Sequence, residues 1–443
     1  MSLRHLFALS AALMLAACAP LKPQVSAAEK RYSAAELLVL KPADFIWPAT
    51  SLEGERALRE AVLADMRARI ALPPGPERDA ALPRLFDLVA QYNLEIDAAR
   101  PLLLQALPTL ANRDPEYQRA LLTGARSLYA APAEQAMQAA LQPLLTQLKT
   151  SKPFAVAAYT LMASNPGHAE FIRDLVPRQF PQWRDDPRLL ALMEEVATVR
   201  AAQPPLADLL AAPLRPGFPV IYSLQRPGRN AMGLVLVRGA DGRFVRDTAG
   251  RLFAQPQLAL SRSGLPGTIT NGNTPQGVFT IVGAGTATNP NIGPTPYLHS
   301  KLPIEATPAE FEHGDTAGAW SEALYESFLP ASWRGHAAIK EAWLAGRAGR
   351  DELLIHGTTI NPAYYAGSSY FPGTPQQGCM ISNEDWDPAT GRLLASRQLA
   401  LAQAYAAASG RPDLAGYLVV VEVIGQGPVA RTEAQALVAS AGR

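Results

Sequence analysis

VIYSLQRPGRNAMGLVLVRGADGRFV, residues 220–245, is where the chain changes its period. Val220 to Leu224 and Met232 to Val237 are short runs rich in Val, Ile, Leu and Tyr. Asp241-Gly242, just ahead of Phe244-Val245, carries the signal of a tight hairpin turn. Together they predict the start of a β-meander. Everything upstream reads at helical spacing, so the expected fold class is α+β and multidomain: an α-helical N-terminal domain, then a mostly β domain with a helical insertion.

Working outward towards the N-terminus, Pro204-Pro205 and the Pro-rich stretch 213–219 mark the boundary, and residues 51–212 form the helical domain. Leu58, Val62, Met66 and Ile70 step by four along one face, and Leu82, Leu85, Phe86 and Val89 repeat the pattern. Prolines at 73–74, 115, 132, 153, 166 and 187 punctuate these amphipathic runs into an irregular stack of helical hairpins without a fixed repeat. Ala136 to Ala140 and Ala155 to Ala158 allow close helix approach. The expected role of this domain is scaffold, with docking of a protein partner open. His168 stands alone in it, a surface or capping residue by this reading.

The first eighteen residues read as a secretion address: basic Arg4 and His5, then an apolar run from Leu6 to Ala17 that is too short for a good membrane span. Leu15-Ala16-Ala17-Cys18 resembles the lipobox of bacterial lipoproteins, which implies lipidation at Cys18. With Ala19 next, the resemblance implies anchoring in the outer membrane, facing the periplasm. Residues 19–50 then read as a tether. The net charge of +1, from 40 basic and 39 acidic side chains, excludes a general nucleic-acid binder. Of the two cysteines, acylation of Cys18 would leave Cys379 without an intramolecular partner in an oxidising compartment.

Downstream of the meander, LPGTITNGNTPQGVFTI at 265–281 sets a Thr274-Pro275 turn, relieved by Gly277, before a buried strand. Residues 283–350 are expected to be an insertion covering a site or forming a lid. It has helical pieces at 316–328 and 336–345. Its aromatics Tyr297, Trp320, Tyr325, Trp333 and Trp343 read as a private small core, and His299, His313 and His336 share no metal-ligand spacing. The stretch 353–383, LLIHGTTINPAYYAGSSYFPGTPQQGCMISN, then carries His356-Gly357 and Gly378-Cys379 on either side of a Gly-, Pro- and Tyr-rich loop. A thiol, a base and glycine-freed N–H groups are the parts of nucleophilic acyl transfer. A turn at 387–391, a helix at 392–408 with Leu393, Leu394, Leu399 and Ala400 inward, a strand at 417–424 and a loosely held tail at 426–443 complete the reading.

Thr274-Pro275-Gln276-Gly277-Val278-Phe279 resembles the Thr-Pro-x-Gly-x-Phe strand of the L,D-transpeptidases of bacterial peptidoglycan. His356-Gly357 followed by Gly378-Cys379 resembles that family's His … Ser-His-Gly-Cys signature, and the likeness covers residues 215–425. It implies Cys379 as the nucleophile that forms a thioester with a stem peptide and His356 as its base. Backbone N–H groups of Gly378 and Cys379 would form the oxyanion site, the Gly357 carbonyl would orient the imidazole, and an amine or water would resolve the thioester. The implied partners are peptidoglycan stem peptides, and no metal or organic cofactor is implied. The chain departs from the pattern at Gln377 in place of His, Gln376 in place of Ser or Thr, and Ile381 in place of Arg, and its His-to-Cys gap is longer. Gln377 orients but cannot titrate. A hydrolase of the same chemistry, a carboxypeptidase or amidase, and a non-catalytic wall-associated lipoprotein are the competing readings.

Overall fold

The computed structural model describes residues 30–129, 135–198 and 201–442. Its strands in chain order are β1 (Arg31–Tyr32), β2 (Val220–Gln225), β3 (Gly233–Arg238), β4 (Gln255–Gln257), β5 (Gly277–Gly285), β6 (Tyr297–Lys301), β7 (Leu354–His356), β8 (Met380–Ile381), β9 (Glu384–Trp386), β10 (Leu393–Ser396) and β11 (Ala415–Glu422). The main sheet is mixed and runs β4-β3-β2-β11-β5-β6-β7-β8, with β1 added to the far end of β5. Leu258, one residue past β4, exchanges both backbone hydrogen bonds with Ile381 of β8, at 2.9 and 2.8 Å. The two edges of the sheet therefore meet, and the sheet nearly closes on itself.

Strand β11, whose Tyr417 to Val421 are all inaccessible, sits in the middle, parallel to β2 and antiparallel to β5. One face of the sheet packs Ile221, Phe279, Ile281 and Leu418 on the helix Arg397–Ser409 through Leu401, Ala402 and Tyr405. The other carries Tyr222, Val278, Tyr417 and Val419 under the aromatics of the 302–350 segment. The chain is mixed α/β, with 47% of it helical and 15% in strands.

The helices Leu52–Ile70 and Pro76–Tyr92 form where the period-four faces stand: Val62, Met66, Leu82, Leu85, Phe86 and Val89 are all buried. Ser51 caps the first by accepting from Gly54 N, which satisfies one of the free N–H groups at the helix start. The helix Ser151–Ser164 lies inside the bundle, with Ala155 to Ala158 inaccessible. Leu265 and Ile269, far along the chain, complete this core. The loop preceding β5 is thereby plugged into the helical bundle.

Several expectations are corrected. The tether reading of residues 19–50 fails from Lys30 onward. Arg31 and Tyr32 pair with Gly285 and Ala284, and the helix Ala34–Val39, closed by a Ser33/Glu36 capping box, buries Leu37 and is gripped by Gln403. Cys18 and the segment before Lys30 lie outside the described residues. The expected insertion at 283–350 begins late, because β5 continues to Gly285 and β6 belongs to the sheet. Its helices are short, Pro308–Glu312, Glu322–Glu326 and Glu341–Arg347, and its aromatics share one core with Tyr222 and Tyr417 instead of forming a private one. The helix expected at 392 starts at Arg397, after β10, which leaves Leu394 exposed. The expected tail holds the helix Arg431–Ser440, which buries Val438 and Ala434 and places Glu433 2.7 Å from Arg226. Among the described residues no helix is long and apolar enough to cross a membrane.

Candidate active site

The Thr274 to Gly277 strand entrance is held from four sides. Thr274 Oγ1 donates to the Gly378 carbonyl at 2.7 Å, and Arg229 Nη2 donates to the Thr274 carbonyl at 3.0 Å. The Glu341 carboxylate accepts from Gly267 N and Gln276 N at 2.7 and 2.8 Å, while Ala342 N donates to the Gln276 carbonyl. Gly277 sits at φ 146 where a side chain would strike Tyr325 and Ala342. The 302–350 segment thus braces β5, and the lid expectation gives way to a clamp.

β7 and β8 lie side by side and parallel, with Ile355 opposite Met380 and His356 opposite Ile381. Cys379 comes one residue before β8. Its half-buried thiol accepts from Leu354 N at 3.4 Å and points its own proton at the Glu352 carbonyl, 3.7 Å away. His356 is two residues further along the neighbouring strand, a rise of about 6–7 Å. Cys379 thus leads into β8 while His356 ends the adjacent β7, and among the described hydrogen bonds the thiol's partners are Leu354 N–H and the Glu352 carbonyl.

His356 is 1% exposed, and its Nδ1 bonds the Gly357 carbonyl, which accepts only. Nδ1 therefore carries the proton and Nε2 keeps its lone pair. Burial, opposed by that carbonyl, pulls the imidazole down to about 4, so it is neutral at physiological pH. Behind Gly357, where a Cβ would meet it, lies the Glu384 carboxyl. Burial pushes this acid up to about 8, against the 2.7 Å hydrogen bond that it accepts from Ser396.

Gly378 has φ 104, and a side chain there would collide with the Arg350 guanidinium and the Gly272 carbonyl. Hence a glycine precedes the cysteine. Sequence reading missed Arg350. Its Nη1 donates to the Asn273 carbonyl at 2.6 Å and to that of Gly267, and its Nη2 donates to Gly272 O at 2.5 Å. A buried cation that spends its donors on neutral carbonyls keeps its field for whatever anion forms nearby. Burial lowers Arg350 to about 10, and it stays charged at neutral pH. Burial pushes the Cys379 thiol up, while Leu354 N–H and Arg350 draw it down. The resting pair is therefore a neutral thiol and a neutral imidazole.

Among the described residues no loop or turn hydrogen bond uses the N–H of Gly378 or Cys379. Ile381, which replaces the expected Arg, is fully buried core and bonds Leu258. Gln377 is exposed and lines a cleft of about 260 Å³ between the 376–377 turn, the 262–271 loop and the helices Pro76–Tyr92 and Pro115–Leu128. Among the described residues no cluster of His, Cys, Asp or Glu has the grouping of a metal site. His313 instead bonds Thr280 Oγ1 and the Gly416 carbonyl at 2.9 and 3.0 Å.

Comparisons of the chain with family models, with curated proteins and with solved structures found no match.

Proposed function

We propose that the chain is a cysteine acyltransferase of the L,D-transpeptidase kind, acting on peptidoglycan stem peptides from a lipid anchor on the periplasmic face of the outer membrane. One observation carries the reading: a free thiol at Gly378-Cys379, with the buried Arg350 cation behind it and a neutral imidazole on the adjacent strand. The helical region before Pro205 and the sheet region after it are then a wall and a catalytic unit respectively.

The thiol leaves its contact with Glu352, His356 Nε2 takes its proton, and sulfur attacks the stem carbonyl to form a C–S bond. Arg350 offsets the negative charge on sulfur, and the N–H groups of Gly378 and Cys379 hold the oxyanion. The C–N bond breaks as the imidazolium returns its proton to the leaving amine. A second stem's amine attacks the thioester, gives up a proton to His356 and releases the thiol as a cross-link forms. Water in place of that amine gives trimming, the hydrolase reading of the same site.

The test is product analysis. Wild type and Cys379→Ala are incubated with purified muropeptides and the products resolved by mass spectrometry. Cross-linked or trimmed stems with wild type alone are expected. Equal conversion by both proteins removes Cys379 from the reaction.

A further inference from the structure

The cleft beside Gln377 is walled on one side by helices and on the other by the turn that leads into Cys379. Gln377 is two residues from Cys379, at most about 7 Å of chain. Its lining carries Arg119 and Arg262 against the single carboxylate of Asp87, a net positive charge. Arg262 has a 9% exposed side chain fixed at Nη1 by Asp87 Oδ1 at 3.1 Å and Gln91 Oε1 at 3.0 Å, and among the described residues no hydrogen bond uses its Nε or Nη2 donors. Arg119 is held by Glu116 at 2.8 Å.

Among the described residues two further lining groups are buried without a hydrogen-bond partner: the amide nitrogen of Gln376, in a residue 7% exposed, and the hydroxyl of Thr123. A buried donor left unsatisfied is costly. Two such groups and a fixed guanidinium with free N–H donors, all lining one cleft, describe a site shaped for an acceptor. The acceptor that uses a planar fork, an amide N–H and a hydroxyl together is a carboxylate. At about 260 Å³ the cleft lies below the usual range for drug-sized ligands, so it takes one charged group of a longer molecule.

We propose that this cleft is a carboxylate subsite for the acyl-donor peptide, with Arg262 as its main cation, and that the helical region supplies a wall of the substrate site. This inference rests on the acyl-transfer reading above. It also gives the cation lost at Ile381 a replacement drawn from another part of the chain.

The experiment measures binding without turnover, in the full chain carrying Cys379→Ala, by calorimetry. The probes are a synthetic stem tetrapeptide with free carboxylates and the same peptide with every carboxylate amidated. The parent is expected to prefer the free acid by tenfold or more, about the worth of one charged hydrogen-bonding pair. Arg262→Gln should weaken the free acid by about tenfold to a hundredfold and leave the amide unchanged. Gln377→Glu, a change at an exposed position that leaves the Arg262 contacts intact, should likewise weaken the acid alone. Binding of the acid by both variants at the parent's affinity, an equal loss for acid and amide, or no discrimination by the parent overturns the subsite, while the product analysis with wild type stands separately. Discrimination without any product from wild type would keep the carboxylate site and end the acyl-transfer reading.

Discussion

The helical region and the sheet region bury their side chains in different ways. In the helices, contacts come from residues three and four apart and from neighbouring helices, as with Phe154 and Phe180, whose rings meet edge-on with centroids 4.9 Å apart. In the sheet, the parts that matter come from far along the chain: Thr274 and Gly378, which share a hydrogen bond, are 104 residues apart, and Arg350 reaches carbonyls 77 to 83 residues away. Both regions have apolar cores, but the surroundings of Cys379 add single long-range polar connections that redundant packing cannot replace. A lost side chain should therefore tell in different assays.

The largest effects test that contrast directly. Phe154→Ala should cost about 3–5 kcal/mol of stability by denaturant unfolding, yet leave the alkylation rate of Cys379 unchanged in the folded protein. Arg350→Met should cost about 2–5 kcal/mol, because buried carbonyls lose their donors, and should also move the pH midpoint of Cys379 alkylation upward. Equal thiol behaviour in the two variants would show that Arg350 does not act on Cys379.

Glu384 has a folded-state value raised from 4.5 to about 8, so the unfolded chain releases its proton first, and stability falls as pH rises from about 4.5 towards 8. Glu384→Gln should remove that decline, worth on the order of a few kcal/mol at the alkaline end. His356 acts in the opposite direction. Its value is depressed from 6.5 to about 4, so its contribution is intact above 6.5 and is lost as pH falls towards 4. Thermal melts across pH 4 to 9 for wild type and Glu384→Gln check the sign.

The smallest effect belongs to Gln377. It is exposed, so Gln377→Ala should stay within about 0.5 kcal/mol of wild type in stability. Its loss of turnover should be much smaller than that of His356→Ala, for which removal of a positioned base predicts about a hundredfold or more.

These differences also explain what was legible in the sequence. The helix faces at 58–70 and 82–89 were readable because their partners are local and periodic. The Thr274–Gly277 and Gly378-Cys379 turns were readable because glycine and proline mark backbone needs in place. Arg350 was not, since nothing beside it in sequence marks a cation whose acceptors lie in the 267–273 loop. Two-residue β1 has no pattern long enough to show, and the C-terminal helix Arg431–Ser440 buries only Ala434 and Val438, too few positions for a periodic signal. The cleft drew its unpartnered groups from Thr123, Arg262 and Gln376, a grouping that the fold alone creates.

The proposed reaction requires that Cys379 become acylated by a stem peptide. Intact-protein mass spectrometry after brief mixing with a tetrapeptide donor, quenched in acid, reads that event without waiting for a product. Acyl transfer through Cys379 predicts a mass increase equal to the acyl portion of the donor on wild type, none on Cys379→Ala, and a slowed appearance in His356→Ala. Product formed by wild type through no adduct at Cys379, or an adduct of the same size on Cys379→Ala, would contradict it.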